Sequence, residues 1–179
     1  MLLNVLAYFI IPAYTVLFAG RTDWVHANFS IIRNFGARKM AFILWGMIVV
    51  YYFYISMRDI VNSLSNPRLE RFLSRASLCL LVLTLLTPYK PEIFPFFSAL
   101  HVWFAFSCPT ALMLCILVIL YRCRKRNPRI YHPYMVYFWG IVAASAAFFF
   151  SAGMINSALE IFFVTSCSIL VRRIHRRLA

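Results

Sequence analysis

Apolar residues in this chain come in long unbroken runs, neither alternating nor returning every third or fourth position, and short polar or basic stretches separate them. A helix needs about 20 apolar residues, within a range of roughly 17–25, to cross a bilayer. Six runs approach that length: residues 2–19, 40–57, 76–89, 93–121, 134–153 and 154–171. Pro12 predicts a kink in the first run. The second is rich in Tyr and Phe, and the third is short and stops at Pro88. The fourth is long enough to tilt, with Pro95 in its first turn and Pro109 inside. The last two are continuous and too long for one span, so Gly153 and Asn156 predict a turn within residues 151–157. The expected fold is all-α: an integral membrane six-helix bundle forming a single transmembrane domain over residues 1–179.

Composition strengthens that expectation. The chain is 63% hydrophobic and 13% charged, against about 45–50% apolar and about 25% charged in a soluble domain. So much apolar surface cannot be hidden in a globule of this size, and no room remains for a separate soluble domain. The first run lacks a basic leader and a small-residue cleavage site, so it is expected to stay as a helix. The five cysteines form no CxxC pair and read as small buried hydrophobes.

The net charge of +13 would suggest nucleic acid in a soluble protein. Here the cations lie between apolar runs, where topology and anionic lipid headgroups account for them, and no nucleic-acid partner is expected. With six spans, one side collects four cations between Arg58 and Arg75, five between Arg122 and Arg129, and four between Arg172 and Arg177; Arg21, Arg33, Arg38, Lys39 and Lys90 fall on the other. The positive-inside rule then places the N- and C-termini in the cytoplasm. The expected location is the plasma membrane. Residues 62–75 are expected to form a short interfacial helix with Leu64, Leu69, Phe72 and Leu73 towards lipid.

Two polar side chains stand out by their depth. His101 lies in a run without any charged residue, and Glu160 is the one charged residue of the last run. Each would sit about 8–10 Å below the outer boundary at 1.5 Å per residue, so a His–Glu pair is geometrically feasible. Ionisable groups at such depth usually face a bundle interior, a cavity or one another. The pair reads either as a structural clamp between helices or as the polar centre of a pocket. In an enzyme, His101 would be the general base or acid and Glu160 would orient it. Ser98 and Ala105 flank His101 and would let a helix or ligand approach, and Asn156 lies one turn before Glu160, within reach of it.

The first outer loop, residues 20–36, is polar and varied. Asp23, His26, Asn28, Ser30, Arg33 and Asn34 read either as an ordinary solvated connection or as a lid over the outer mouth, with Trp24, Phe29 and Phe35 at the interface. No metal-binding spacing, phosphate loop or nucleophile elbow occurs, and no cofactor is implied.

The order of three short elements resembles the Frag/DRAM/Sfk superfamily of six-span membrane proteins: Asn28-Phe29-Ser30 in the first loop, Leu100-His101 with Ala105 in the fourth helix, and Ser157-Ala158-Leu159-Glu160 in the sixth. The resemblance implies a six-helix bundle with an outward-facing polar pocket, tied to lipid handling or remodelling. The expected function is binding or remodelling of a lipid or amphiphile at His101 and Glu160 under the loop. The alternatives are a small substrate-binding subunit of a membrane transporter, and a structural or regulatory subunit without a ligand.

Overall fold

The computed structural model describes residues 1–20, 22–34 and 38–178. Arg21, Phe35 and Gly36 of the polar loop lie outside the described residues. Seven helices follow in order: α1, Leu2–Ala19; α2, Phe29–Ile32; α3, Arg38–Asn62; α4, Arg68–Leu86; α5, Pro95–Arg126; α6, Pro128–Ala152; α7, Ser157–Leu178. No strand occurs among the described residues.

Four of these helices, α1, α3, α5 and α6, are long and apolar enough to cross a membrane. The other two long helices are charged at one end. Arg68, Glu70, Arg71 and Arg75 occupy the first turns of α4, and Arg172, Arg173, Arg176 and Arg177 the last turns of α7. At 1.5 Å per residue both still measure about 30 Å, the thickness of a hydrocarbon core. Large apolar side chains such as Phe96, Trp103, Phe106 and Phe150 are exposed on α5 and α6, as a lipid-facing surface requires.

The prolines leave local marks. Pro12 has no N–H to give to Tyr8, and its ring crowds that carbonyl. The backbone widens by one residue per turn over Leu6–Ile10 in response. Pro109 likewise leaves the Ala105 carbonyl without its helical partner inside α5. Pro95 and Pro128 instead sit in first turns, where the missing N–H costs nothing. Between α6 and α7 the chain turns at Gly153, whose φ of +67° suits a residue without a Cβ.

The core runs through α1, α3, α5, α6 and α7. Its largest fully buried side chain, Tyr52, donates to the Ser168 carbonyl at 2.7 Å and ties α3 to α7. Both chain ends lie at one end of the bundle. Arg172 Nε donates to Asn4 Oδ1 at 2.6 Å, Arg172 Nη1 lies 2.8 Å from His175 Nδ1, and His175 Nε2 lies 3.2 Å from Asp59 Oδ2. Arg172 is therefore a buried link from α7 to α1, and through His175 to α3, as well as a basic residue near a helix end.

The segment expected to form an interfacial helix does not do so. Residues 68–75 are the first two turns of α4, after a tight turn in which Asn66 takes φ +51°. The physical reason is Glu70. It is 2% exposed, and Arg122 of α5 pairs with its carboxylate while also donating to the Ser65 carbonyl. A buried carboxylate needs such a partner, and meeting it draws the segment into the bundle. Leu69 and Phe72 face out, but Leu64 is buried, so the four apolar residues do not share one lipid-facing stripe.

Candidate functional site

At the end opposite the termini, three connections meet: residues 20–34, 87–94 and 153–156. The first is built around α2. Asn28 takes an extended backbone, and its Oδ1 accepts from Ile31 N–H at 2.9 Å, which caps the short helix. Phe29 and Ile32 then point inward, 1% and 0% exposed. The Phe29 ring stands edge-on to Phe18 and Trp45, with centroids 5.2 Å apart in both pairs. Trp45 is held in turn by its Nε1–H, which donates to Thr15 Oγ1 at 2.9 Å. The loop is seated as an aromatic plug between α1 and α3.

Its polar groups bind the other two connections. The Ala27 carbonyl accepts from both the N–H and the hydroxyl of Ser157, each at 2.8 Å, and the Trp24 carbonyl accepts from Ala158 N–H at 3.1 Å. The two N–H donors are among the free groups that every helix start exposes, and the Ser157 hydroxyl adds a third. In return Glu160, in the first turn of α7, accepts from Phe29 N–H at 2.7 Å. Loop and helix cap each other. Ser30 Oγ lies 2.6 Å from His101 Nε2, and His101 Nδ1 lies 3.1 Å from the Thr87 carbonyl. A carbonyl only accepts, so Nδ1 carries the proton, and in the neutral ring Nε2 accepts from the Ser30 hydroxyl. Arg33, 7% exposed, donates to the Leu85 and Thr87 carbonyls and lies over the Phe42 ring at 5.0 Å.

His101 and Glu160 thus share no hydrogen bond. Each holds one of two adjacent residues, Ser30 and Phe29, and the loop bridges them. The orienting partner of His101 is the Thr87 carbonyl, not the Glu160 carboxylate. The remaining residues singled out in the sequence divide sharply. Asn28, Ser30 and Arg33 are built into the meeting point. Ser98 Oγ accepts from Lys90 N–H at 2.9 Å and braces the second connection. Asn156 does not reach the Glu160 side chain; its Oδ1 accepts from Leu159 N–H at 2.9 Å and caps α7. Asp23 and His26 stay on the surface, paired with each other at 2.6 Å, and take no part. The hydrogen bond from His26 holds the Asp23 carboxyl below its ordinary value.

Beneath the plug lies a chamber of about 700 Å³ walled by α3 to α7, within the size range of small-molecule sites. Its α3 wall runs from Phe42 to Met57, about 22 Å at 1.5 Å per residue. The wall is almost wholly apolar. Ser30 and Glu160 border it at the loop end, and Glu160 is its only carboxylate among the described residues. Five wall residues are exposed: Phe106, Thr110 and Leu114 on α5, and Trp139 and Phe150 on α6. The rim of the chamber is therefore the gap between α5 and α6, on the flank of the bundle, while α2 closes the loop end.

The sequence signals pointed to Ser30, His101 and Glu160 but not to the carbonyls of Trp24, Ala27 and Thr87 or the N–H of Phe29. Main-chain groups are the same at every residue, so only folded geometry reveals them. No protein-family model matches this chain, and no match arises among curated proteins or solved structures.

Proposed function

We propose that this chain is a six-span protein of the plasma membrane, both termini cytoplasmic, that binds a lipid or other tailed amphiphile in the chamber between α3 and α7. The observation that carries this reading is the chamber itself: long, apolar, open on the bundle flank between α5 and α6, and bordered at one end by Ser30 and Glu160. A water-soluble metabolite would find few polar partners there, whereas an acyl chain matches both the length and the lining. In support of the topology, the end of the bundle with the termini holds most of the cations, the distribution expected of a cytoplasmic face, and α4 and α7 are long enough to be the fifth and sixth spans. The same basic face suits anionic headgroups. The resemblance of the three short elements to the Frag/DRAM/Sfk superfamily is in keeping with a lipid ligand.

The test is lipid analysis of the protein purified in mild detergent, beside Ala146→Trp, which fills the chamber from α6. The expected result is a defined lipid near one per protein, lost in the variant. A lipid-free wild-type protein, or lipid retained equally when the chamber is filled, overturns the reading.

A second reading, remodelling of the bound lipid, is favoured by one contact. The Ser30 hydroxyl is 2.6 Å from His101 Nε2, and Ser30 borders the chamber. A serine that donates to a neutral imidazole is placed to act as a nucleophile. Conversion of an added lipid ester by the wild-type protein and not by Ser30→Ala would establish it. Equal product from both would remove it.

A further inference from the structure

We propose that the ligand of the chamber is an amphiphile whose head group is a protonated amine or ammonium, and that Glu160 is the group that selects it. This rests on the chamber being a binding site, as proposed above, and adds the chemistry of the head group. Four observations lead there.

Glu160 is the only carboxylate among the described wall residues, and no Lys, Arg or His lines the wall beside it. The nearest buried cation of the loop, Arg33, already directs its donors to the Leu85 and Thr87 carbonyls. Among the described residues one Glu160 oxygen is engaged: Oε2 accepts from Phe29 N–H at 2.7 Å, whereas Oε1 has no partner among them, and Glu160 borders the chamber. A carboxylate in apolar surroundings is costly unless it is paired. An ammonium donor is the partner that satisfies both its charge and its free oxygen.

The rings around it fit the same ion. Phe29, whose N–H holds Glu160, and Phe163, one turn further along α7, both face the chamber, as do Trp45 and Phe149. Aromatic faces attract ammonium groups and offer nothing to a phosphate or carboxylate. An anionic head group would find no basic side chain among the described wall residues. The head group therefore lies at the loop end, and the tail runs down the α3 wall towards Met57. Entry is from the bilayer, through the exposed rim between α5 and α6.

The experiment uses the full chain in a non-ionic detergent and native mass spectrometry with three probes of equal tail: hexadecylamine, hexadecanol and palmitate. Glu160→Gln is the informative variant, because its amide oxygen still accepts from Phe29 N–H and keeps the loop seated. For wild type, the amine is expected to bind about tenfold or more tighter than the alcohol, and palmitate weakest, as a charge-assisted hydrogen bond in an apolar site implies. Glu160→Gln is expected to bind amine and alcohol alike. If wild type does not prefer the amine, or Glu160→Gln keeps the preference, the proposal is overturned. Ala146→Trp separates the two failures. Alcohol binding that this variant abolishes upholds the chamber while the amine proposal falls. Absence of binding by all three probes removes both.

Discussion

Ser30 and His101, 71 positions apart in the chain, are joined by a 2.6 Å contact that closes the first loop onto α5. Both are buried, so neither finds water when the other is removed. Ser30→Ala and His101→Ala should each lower unfolding free energy by about 1–3 kcal/mol, the usual cost of an orphaned buried polar group. The double variant should lose clearly less than the two single losses combined, since the same bond is broken only once. Denaturant titration in detergent with all four proteins gives the coupling. Strict additivity would mean the contact contributes nothing.

The cap of α2 makes a prediction about the plug. Asn28→Ala removes the acceptor for Ile31 N–H, a loss of about 0.5–2 kcal/mol. It should also loosen Phe29 from Trp45. Trp45 fluorescence in a background lacking the other three tryptophans would report this as a shift, while Asn28→Asp should leave the spectrum unchanged.

On the opposite end of the bundle, Arg122→Ala leaves Glu70 buried without its cation. Because the Arg122 side chain is itself 35% exposed, the loss should be moderate, about 1–3 kcal/mol. Replacing both residues with leucine should recover most of the stability. A double variant as weak as Arg122→Ala would show that the pair also fixes the geometry of the turn at Asn66.

Surface chemistry predicts a pH effect that is local. Asp23 has its carboxyl pKa lowered by the His26 hydrogen bond. Such a pairing is present above the unfolded carboxyl pKa and lost as pH falls through the lowered folded one. His26→Ala should therefore move Asp23 titration to higher pH, seen in its carboxyl carbon resonance. Ligand binding should not change, because both side chains are exposed and outside the chamber. A change in binding would put the two residues back into the site.

Orientation has a direct test. With Cys79 replaced by Ser, a cysteine at His26 should react with an impermeant maleimide in intact cells, and one at Lys125 only after permeabilisation. The reverse pattern would place the basic face outside.

The all-helical architecture, with several helices apolar enough to cross a membrane, was legible in the sequence because hydropathy acts over whole helices, and single residues hardly alter it. The unbroken run 93–121 announces α5, and Gly153 marks the turn before α7. Charge at a helix start is less legible. Four charged residues hid the first turns of α4, since the sequence does not reveal that Glu70 meets Arg122. The site was half visible for a related reason. His101 and Glu160 stand out as polar atoms in apolar runs, and their joint location invites pairing. What separates them is a main-chain N–H and a serine hydroxyl contributed by a loop more than 70 positions away from His101, and no local pattern encodes that.

The reciprocal capping of the first loop and the last helix has a consequence for how the protein is made. Chains are synthesised from the N-terminus, so the carbonyls of Trp24 and Ala27 and the N–H of Phe29 are finished long before Ser157, Ala158 and Glu160 leave the ribosome. Until then the loop lacks its partners on α7, and the Asn4–Arg172 contact at the other end is equally unmade. The bundle resembles a ring whose clasp is the last piece added. A nascent chain stalled before α7 would display a loop that is not yet latched to the last helix, and that loop would distinguish an unfinished molecule from a finished one.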